Sequence, residues 1–221
     1  MMTFIRRKSG LRVGLPVAMA LLLMSGCGVS EPSADPWRDV ARFSWPRDTT
    51  AVLEYQIKNI EYGQVTSEKF IKLRARASSE RYNGLSMYEL EQSDRGPALW
   101  MRYATSADTL VTRNGSFPAD IALTTPLVKG HSWVCGHNGN TAWRATIIER
   151  YAWRKVDGKV YQNVVEVEYR PQQEQAQEWW VRLYAEGLGP IQTVKNFNPN
   201  PERTQTPIEE RTILISSSVD N

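Results

Sequence analysis

Two cysteines and two histidines are all that this chain of 221 residues contains, which excludes a disulfide-stapled scaffold and leaves little material for a metal centre. No apolar stretch reaches the roughly 20 residues that a helix needs to cross a bilayer, so a polytopic membrane protein is excluded. There is no Gly-x-Ser-x-Gly elbow and no glycine-rich loop ending in Gly-Lys-Ser/Thr, so neither a hydrolase nucleophile nor a phosphate cradle has its usual context. Acidic residues are missing from the first 30 positions, where Arg6, Arg7, Lys8 and Arg12 lie. Setting those four aside leaves 23 basic against 24 acidic residues, so the net charge of +3 belongs to the N-terminus and implies no nucleic-acid partner. With 41% apolar and 23% charged residues, the composition is globular, neither disordered nor collagen-like.

What is present begins with an address. A basic stretch (1–12), an apolar run (13–24) and the small pair Ser25 and Gly26 follow one another in the order of a secretory signal peptide, assigned to residues 1–26. The step Leu23-Met24-Ser25-Gly26-Cys27 resembles the bacterial lipobox, with Met24 where Leu is usual. That resemblance implies that Cys27 is lipidated and becomes the first mature residue. Each buried CH₂ contributes about 0.8 kcal/mol, so several acyl chains together hold a protein on a membrane without spanning it. Gly28, standing where Asp would retain a lipoprotein on the inner membrane, implies by the same resemblance the outer membrane, facing the periplasm. Cys135 is then the one remaining thiol, best tolerated in an oxidising compartment when buried. Residues 27–44 read as the lipidated cysteine and a flexible tether, being small, polar and proline-bearing.

Residues 45–221 read as a single β domain, because the dominant hydrophobic period beyond the tether is two. Ile71, Leu73, Ala75 and Ala77 alternate with Lys72, Arg74, Arg76 and Ser78, the pattern of a strand with one wet face. Leu53, Tyr55 and Ile57 do the same, as do Leu99, Met101 and Tyr103, the pair Val165 and Val167, and Val181 with Leu183. Asp157-Gly158 between two such runs predicts a hairpin, since both central residues of a type I′ turn need positive φ. Asn83-Gly84, Asn114-Gly115 and the segment 94–97 predict further turns. Segments 79–87 and 117–123 are candidates for short helical pieces. The expectation is an all-β fold of eight to ten strands, a strongly curved antiparallel sheet forming a half-barrel or open barrel with at most short helices.

Three short pieces carry a further resemblance: 126–133 (PLVKGHSW), 161–167 (YQNVVEV) and 184–191 (YAEGLGPI). In this order they resemble uncharacterised bacterial envelope lipoproteins whose curved half-barrel is similar to that of the lipoprotein-localisation factors, which hold acyl chains. The resemblance implies a concave sheet that takes an apolar ligand.

Candidate chemistry is sparse. His131, Trp133, Cys135 and His137 are spaced by two and share one strand face, yet at ~3.3 Å per residue the ends are too far apart for one ion, so no metal site, no cofactor and no catalytic residue is assigned. Eight tryptophans are a stronger signal. Trp179 and Trp180 place one indole on each face of a strand, and with Trp100, Trp133 and Trp153 they are the candidate ligand-binding residues. The functional expectation is a non-catalytic, membrane-anchored envelope lipoprotein binding a hydrophobic or amphipathic ligand such as a lipid. Alternatives are an accessory subunit docking on an envelope protein partner, and an enzyme acting on cell wall or glycan.

Overall fold

Alternating sequence becomes one antiparallel sheet of twelve strands in the computed structural model, which describes residues 35–92, 98–113, 120–173, 178–197 and 208–220. The signal peptide, Cys27, the tether up to residue 34, the turns at 94–97 and 114–115 and the loop with Pro199 and Pro201 lie outside the described residues. The strands are β1 (Val52–Glu61), β2 (Gln64–Tyr82), β3 (Leu85–Gln92), β4 (Ala98–Thr105), β5 (Thr109–Arg113), β6 (Asp120–Thr124), β7 (Ser132–Asn138), β8 (Thr141–Val156), β9 (Lys159–Pro171), β10 (Trp179–Ala185), β11 (Gly189–Phe197) and β12 (Ile208–Ser217). Strands account for 73% of the described residues, and the helical pieces are 3-10 turns of three or four residues, so the chain is all-β with a strongly curved antiparallel sheet.

The lateral order is β6-β5-β4-β3-β2-β1-β12-β11-β10-β9-β8-β7. Two six-stranded meanders are therefore joined where the first strand pairs with the last, and the sheet nearly closes into a barrel whose open seam, β6 against β7, lies mid-sequence. Side chains bridge that seam. Trp133 Nε1 on β7 donates to the Ile121 carbonyl at 2.8 Å, and the Tyr169 hydroxyl on β9 donates to the Ala122 carbonyl at 2.6 Å. Ala122 is the extra residue where the β5–β6 register slips, Leu110 pairing with Leu123 and Val111 with Ile121, so its carbonyl is released from the ladder.

Leu53, Tyr55 and Ile57 of β1 and Ile71, Leu73 and Ala75 of β2 are buried inside the barrel. The hairpin at Asp157-Gly158 forms as expected, with φ of 47° and 85°. Of the two segments expected to hold helical turns, 79–87 is the β2–β3 hairpin, and the described part of the other, 120–123, is strand β6. In both, cross-strand pairing satisfies the backbone in place of local bonds.

The outer wall is charged. Arg76, Glu89 and Arg102 lie side by side on β2, β3 and β4, with Glu89 accepting from Arg76 at 2.8 Å, Arg102 at 3.0 Å and Ser78 at 3.1 Å. This part of the outer wall therefore carries charge at mid-strand, where a lipid-facing barrel wall carries an apolar band. Burial works to raise the pKa of Glu89, but the bonds from Arg102, Arg76 and Ser78 outweigh it and hold the carboxyl below its ordinary 4.5. Its contribution to stability is thus fully present above pH 4.5 and lost as pH falls through the lower folded-state value. Glu89→Gln is expected to destabilise by about 1–2 kcal/mol at neutral pH. Urea titrations should also show that the variant loses less stability than the wild type on acidification; parallel pH profiles would show the triad to be inert.

The segment expected to be tether does not behave as one from residue 36 onward. Two 3-10 turns, Pro36–Arg38 and Val40–Phe43, enter one end of the barrel, where Val40 and Phe43 are fully buried. Asp39 caps the second turn by accepting from Ala41 N at 2.9 Å. Val40 N donates to Ala107 O at 2.7 Å in the β4–β5 turn, and Gly187 N donates to Arg42 O at 2.6 Å in the β10–β11 turn. Arg42 and Glu186 form an ion pair at the same place. The reason for the departure is plain: Trp37, Val40, Phe43 and Trp45 are the apolar surface that fills this barrel end, and burial of each large side chain contributes roughly 1.5–3 kcal/mol.

Candidate functional site

Between this plug and the opposite barrel end lies a cavity of about 460 Å³, within the roughly 300–1,000 Å³ usual for small-molecule sites. Its floor is Trp45, tilted against Tyr103 at 5.3 Å. The Tyr103 hydroxyl donates to Pro46 O at 2.9 Å, which fixes the plug to β4. Gly189, at φ +77°, passes so close that a Cβ there would stand 2.9 Å from Trp45 N, so glycine is required for this approach.

The cavity has two unlike walls. On one side Tyr55 and Ile57 of β1 and Ile71 and Leu73 of β2 make an apolar surface. Tyr55 keeps its hydroxyl satisfied by donating to Pro190 O at 2.9 Å. Across the barrel, β6 to β10 contribute Asp120, Cys135, His137, Trp143, Tyr169, Trp180 and Arg182. Arg182 lies 5.5 Å from the ring centres of both Tyr169 and Trp180, and Trp180 tilts on Trp143 at 5.2 Å. Lys69, Asn138, Glu178, Lys195 and Glu210 line the end away from the plug, with Lys195 and Glu210 paired at 2.7 Å.

Electrostatics divide the polar wall. Burial works against the charge of Arg182, but the oxygens of Tyr184 and Tyr169 and the carboxylate of Asp120 more than compensate, raising its pKa above the ordinary value. Tyr169 is held well above the usual phenol range by burial and by the neighbouring Tyr184 oxygen, to which it is bonded at 2.6 Å, so it offers a dipole, not charge. Asp120 is raised by loss of water, against the pull of Arg182 and His137. Its carboxylate occupies the space that a Cβ at Gly136 would fill, so a glycine on β7 admits an acid across the seam. Burial, then the charge of Asp120, pushes the Cys135 thiol up to about 11, and its sulfur donates to Trp143 O at 3.4 Å. It is therefore a protonated, inert thiol at neutral pH.

Of the five tryptophans expected to bind ligand, Trp100 and Trp180 line this cavity. Trp133 sits at the seam, stacked on His131 at 5.5 Å and spent on the bond to Ile121. Trp153 is 64% exposed on the outer wall. Trp179 alternates with Trp180 along β10 and is not among the lining residues. Cys135 and His137 both reach the cavity, yet among the described residues no group of three or more His, Cys, Asp or Glu side chains is gathered to hold a metal. Trp45, Tyr55, Tyr169, Asp120 and Arg182 were not singled out from sequence. The alternation around Arg182, between Val181 and Leu183, reads as a wet face, and only barrel closure turns that face inward.

No family model and no curated protein matches the chain. Similar solved structures include one from Bacteroides fragilis described as an exported protein with a YmcC-like fold, 10% identical over 80% of this chain and 99% of that one, with a TM-score of 0.45. Another is described as a lipoprotein from Parabacteroides distasonis, 8% identical over 79% of this chain and 97% of that one, with a TM-score of 0.38. Likeness at this level assigns neither activity, ligand nor compartment.

Proposed function

We propose that this protein is an envelope lipoprotein, anchored through acyl chains on Cys27 at the outer membrane, that holds a hydrophobic or amphipathic ligand inside its barrel and performs no chemistry on it. The observation that carries the reading is the cavity itself: about 460 Å³, floored by Trp45, with one apolar wall and one aromatic and polar wall. An amphipathic molecule satisfies both walls at once, where water would satisfy only one. The raised pKa of Cys135 supports the non-catalytic part, since a nucleophile needs the thiolate.

Binding of an environment-sensitive fatty-acid probe is expected to weaken by roughly fivefold or more in Trp180→Ala and Trp100→Ala, with Trp153→Ala unchanged. The reading falls if the cavity variants bind the probe as the wild type does. A second reading, an accessory subunit of an envelope complex, draws on Trp153 and Val160, 64% and 58% exposed and neighbours on the outer face of β8 and β9. It predicts that Trp153→Ala alone abolishes co-purification of an envelope protein. For the anchor, radiolabelled palmitate should be incorporated into the wild type and not into Cys27→Ser; equal labelling sinks the lipidation claim.

A further inference from the structure

Arg182 projects from the middle of β10 into a cavity whose other wall is hydrocarbon. Among the described residues no carboxylate lies within ion-pair distance of it; its ring contacts are Tyr169 and Trp180, both neutral. The other charges lining the cavity are differently partnered, although Lys195 shares the Trp180 ring with Arg182, 5.3 Å from its centre. Lys195 is already matched by Glu210 at 2.7 Å, and Lys69 and Glu178 stand with them at the end away from the plug. Asp120, at the seam, acts on Arg182 only at longer range. A guanidinium half-buried among dipoles and rings, bonded to Tyr184 and paired with no carboxylate among the described residues, is a receptor for a carboxylate or phosphate, because an arginine presents five N–H donors in a fixed fork. The hydrocarbon wall of Tyr55, Ile57, Ile71 and Leu73 faces it across the cavity.

We infer that the ligand is an anionic amphiphile, a long-chain acid or phosphate monoester, whose head group is bound by Arg182 while its chain lies against β1 and β2. This rests on the reading of the barrel as a ligand carrier and narrows it to one class of ligand. The tyrosine pair behind Arg182 holds its place: Tyr184 and Tyr169 are bonded to each other at 2.6 Å, and Tyr169 is bonded to Ala122 O.

The test uses the full-length protein in membranes and two photo-crosslinking probes of equal chain length, a diazirine-bearing fatty acid and the corresponding fatty alcohol, with labelled residues located by peptide mass spectrometry. In the wild type the acid is expected to label cavity residues at least tenfold more than the alcohol. Arg182→Gln should remove that ratio while leaving alcohol labelling in place, Arg182→Lys should restore part of it, and Lys129→Gln, at an exposed cation that does not line the cavity, should leave it unchanged. Equal labelling of the cavity by both probes in the wild type overturns the anion receptor and leaves the carrier reading standing. Absence of cavity labelling by either probe overturns the carrier reading and the receptor with it. Because the wild-type ratio is itself diagnostic, poor folding of an Arg182 variant does not shelter the proposal.

Discussion

Phe43→Ala is expected to lower the stability of the whole barrel by about 3–5 kcal/mol, the range for removing a fully buried aromatic side chain. The size of the effect follows from where the plug is attached. Phe43 has no exposed surface and stacks on Trp37 at 5.7 Å, and the same short segment is tied to the β4–β5 turn through Val40 N and to the β10–β11 turn through Arg42 O. These turns belong to opposite meanders, so the plug joins the two halves of the fold that meet at β1 and β12. Loss of the ring also frees Trp45, the cavity floor, and ligand-probe affinity should fall with stability. Gly189→Ala approaches the same place from the barrel side, because its Cβ would meet the Trp45 backbone, which cannot rotate away. Urea unfolding decides the matter: a change under about 1 kcal/mol in Phe43→Ala means that the plug is a passive cover.

The fold was largely legible in the sequence wherever one strand face is wet. On β2, Lys72, Arg74 and Arg76 stand outside while Ile71, Leu73 and Ala75 stand inside, and period two reports that directly. The pattern fades where both faces are covered. Leu110, Val111 and Thr112 of β5 are buried in succession beside the plug, so no alternation marks the strand. The plug is harder still. Trp37, Val40 and Phe43 recur at every third residue, but over only seven positions of a polar, proline-bearing stretch, too short a run to mark an element.

The site was legible only in outline. Aromatic abundance pointed to a ligand surface, and Trp179-Trp180 placed one indole on each face, but which face is the inside depends on curvature. Arg182 and Asp120 were hidden because sequence reading equates polar with outward. A barrel with a cavity breaks that equation: its inner face is partly a core and partly the lining of an open space, and the second part carries the polar groups. Trp153 failed in the opposite sense, being apolar and outside. Nothing in its neighbours Ala152 and Arg154 signals the difference.

Removing both seam donors, Trp133→Phe together with Tyr169→Phe, is expected to destabilise by about 2–5 kcal/mol, each change leaving a β6 carbonyl without its partner at about 1–3 kcal/mol. The two donors serve adjacent residues, Ile121 and Ala122, on a strand that otherwise pairs only with β5. With one donor left, β6 stays in place and the second carbonyl finds little water; with both gone, the edge can leave. The loss in the double variant should therefore fall short of the sum of the single losses, because the freed edge lets both carbonyls reach water. Amide exchange gives the sharper readout. Backbone amides of β5 and β6 should exchange faster by the largest factor, those of β1 and β12 by the smallest, because the latter lie at the middle of the sheet order. An opened seam also presents the free edges of β6 and β7 to a second molecule, so the double variant should show concentration-dependent association in size-exclusion chromatography. If β6 exchanges no faster than β1, the two bonds do not hold the seam, and closure must come from packing between the edges alone.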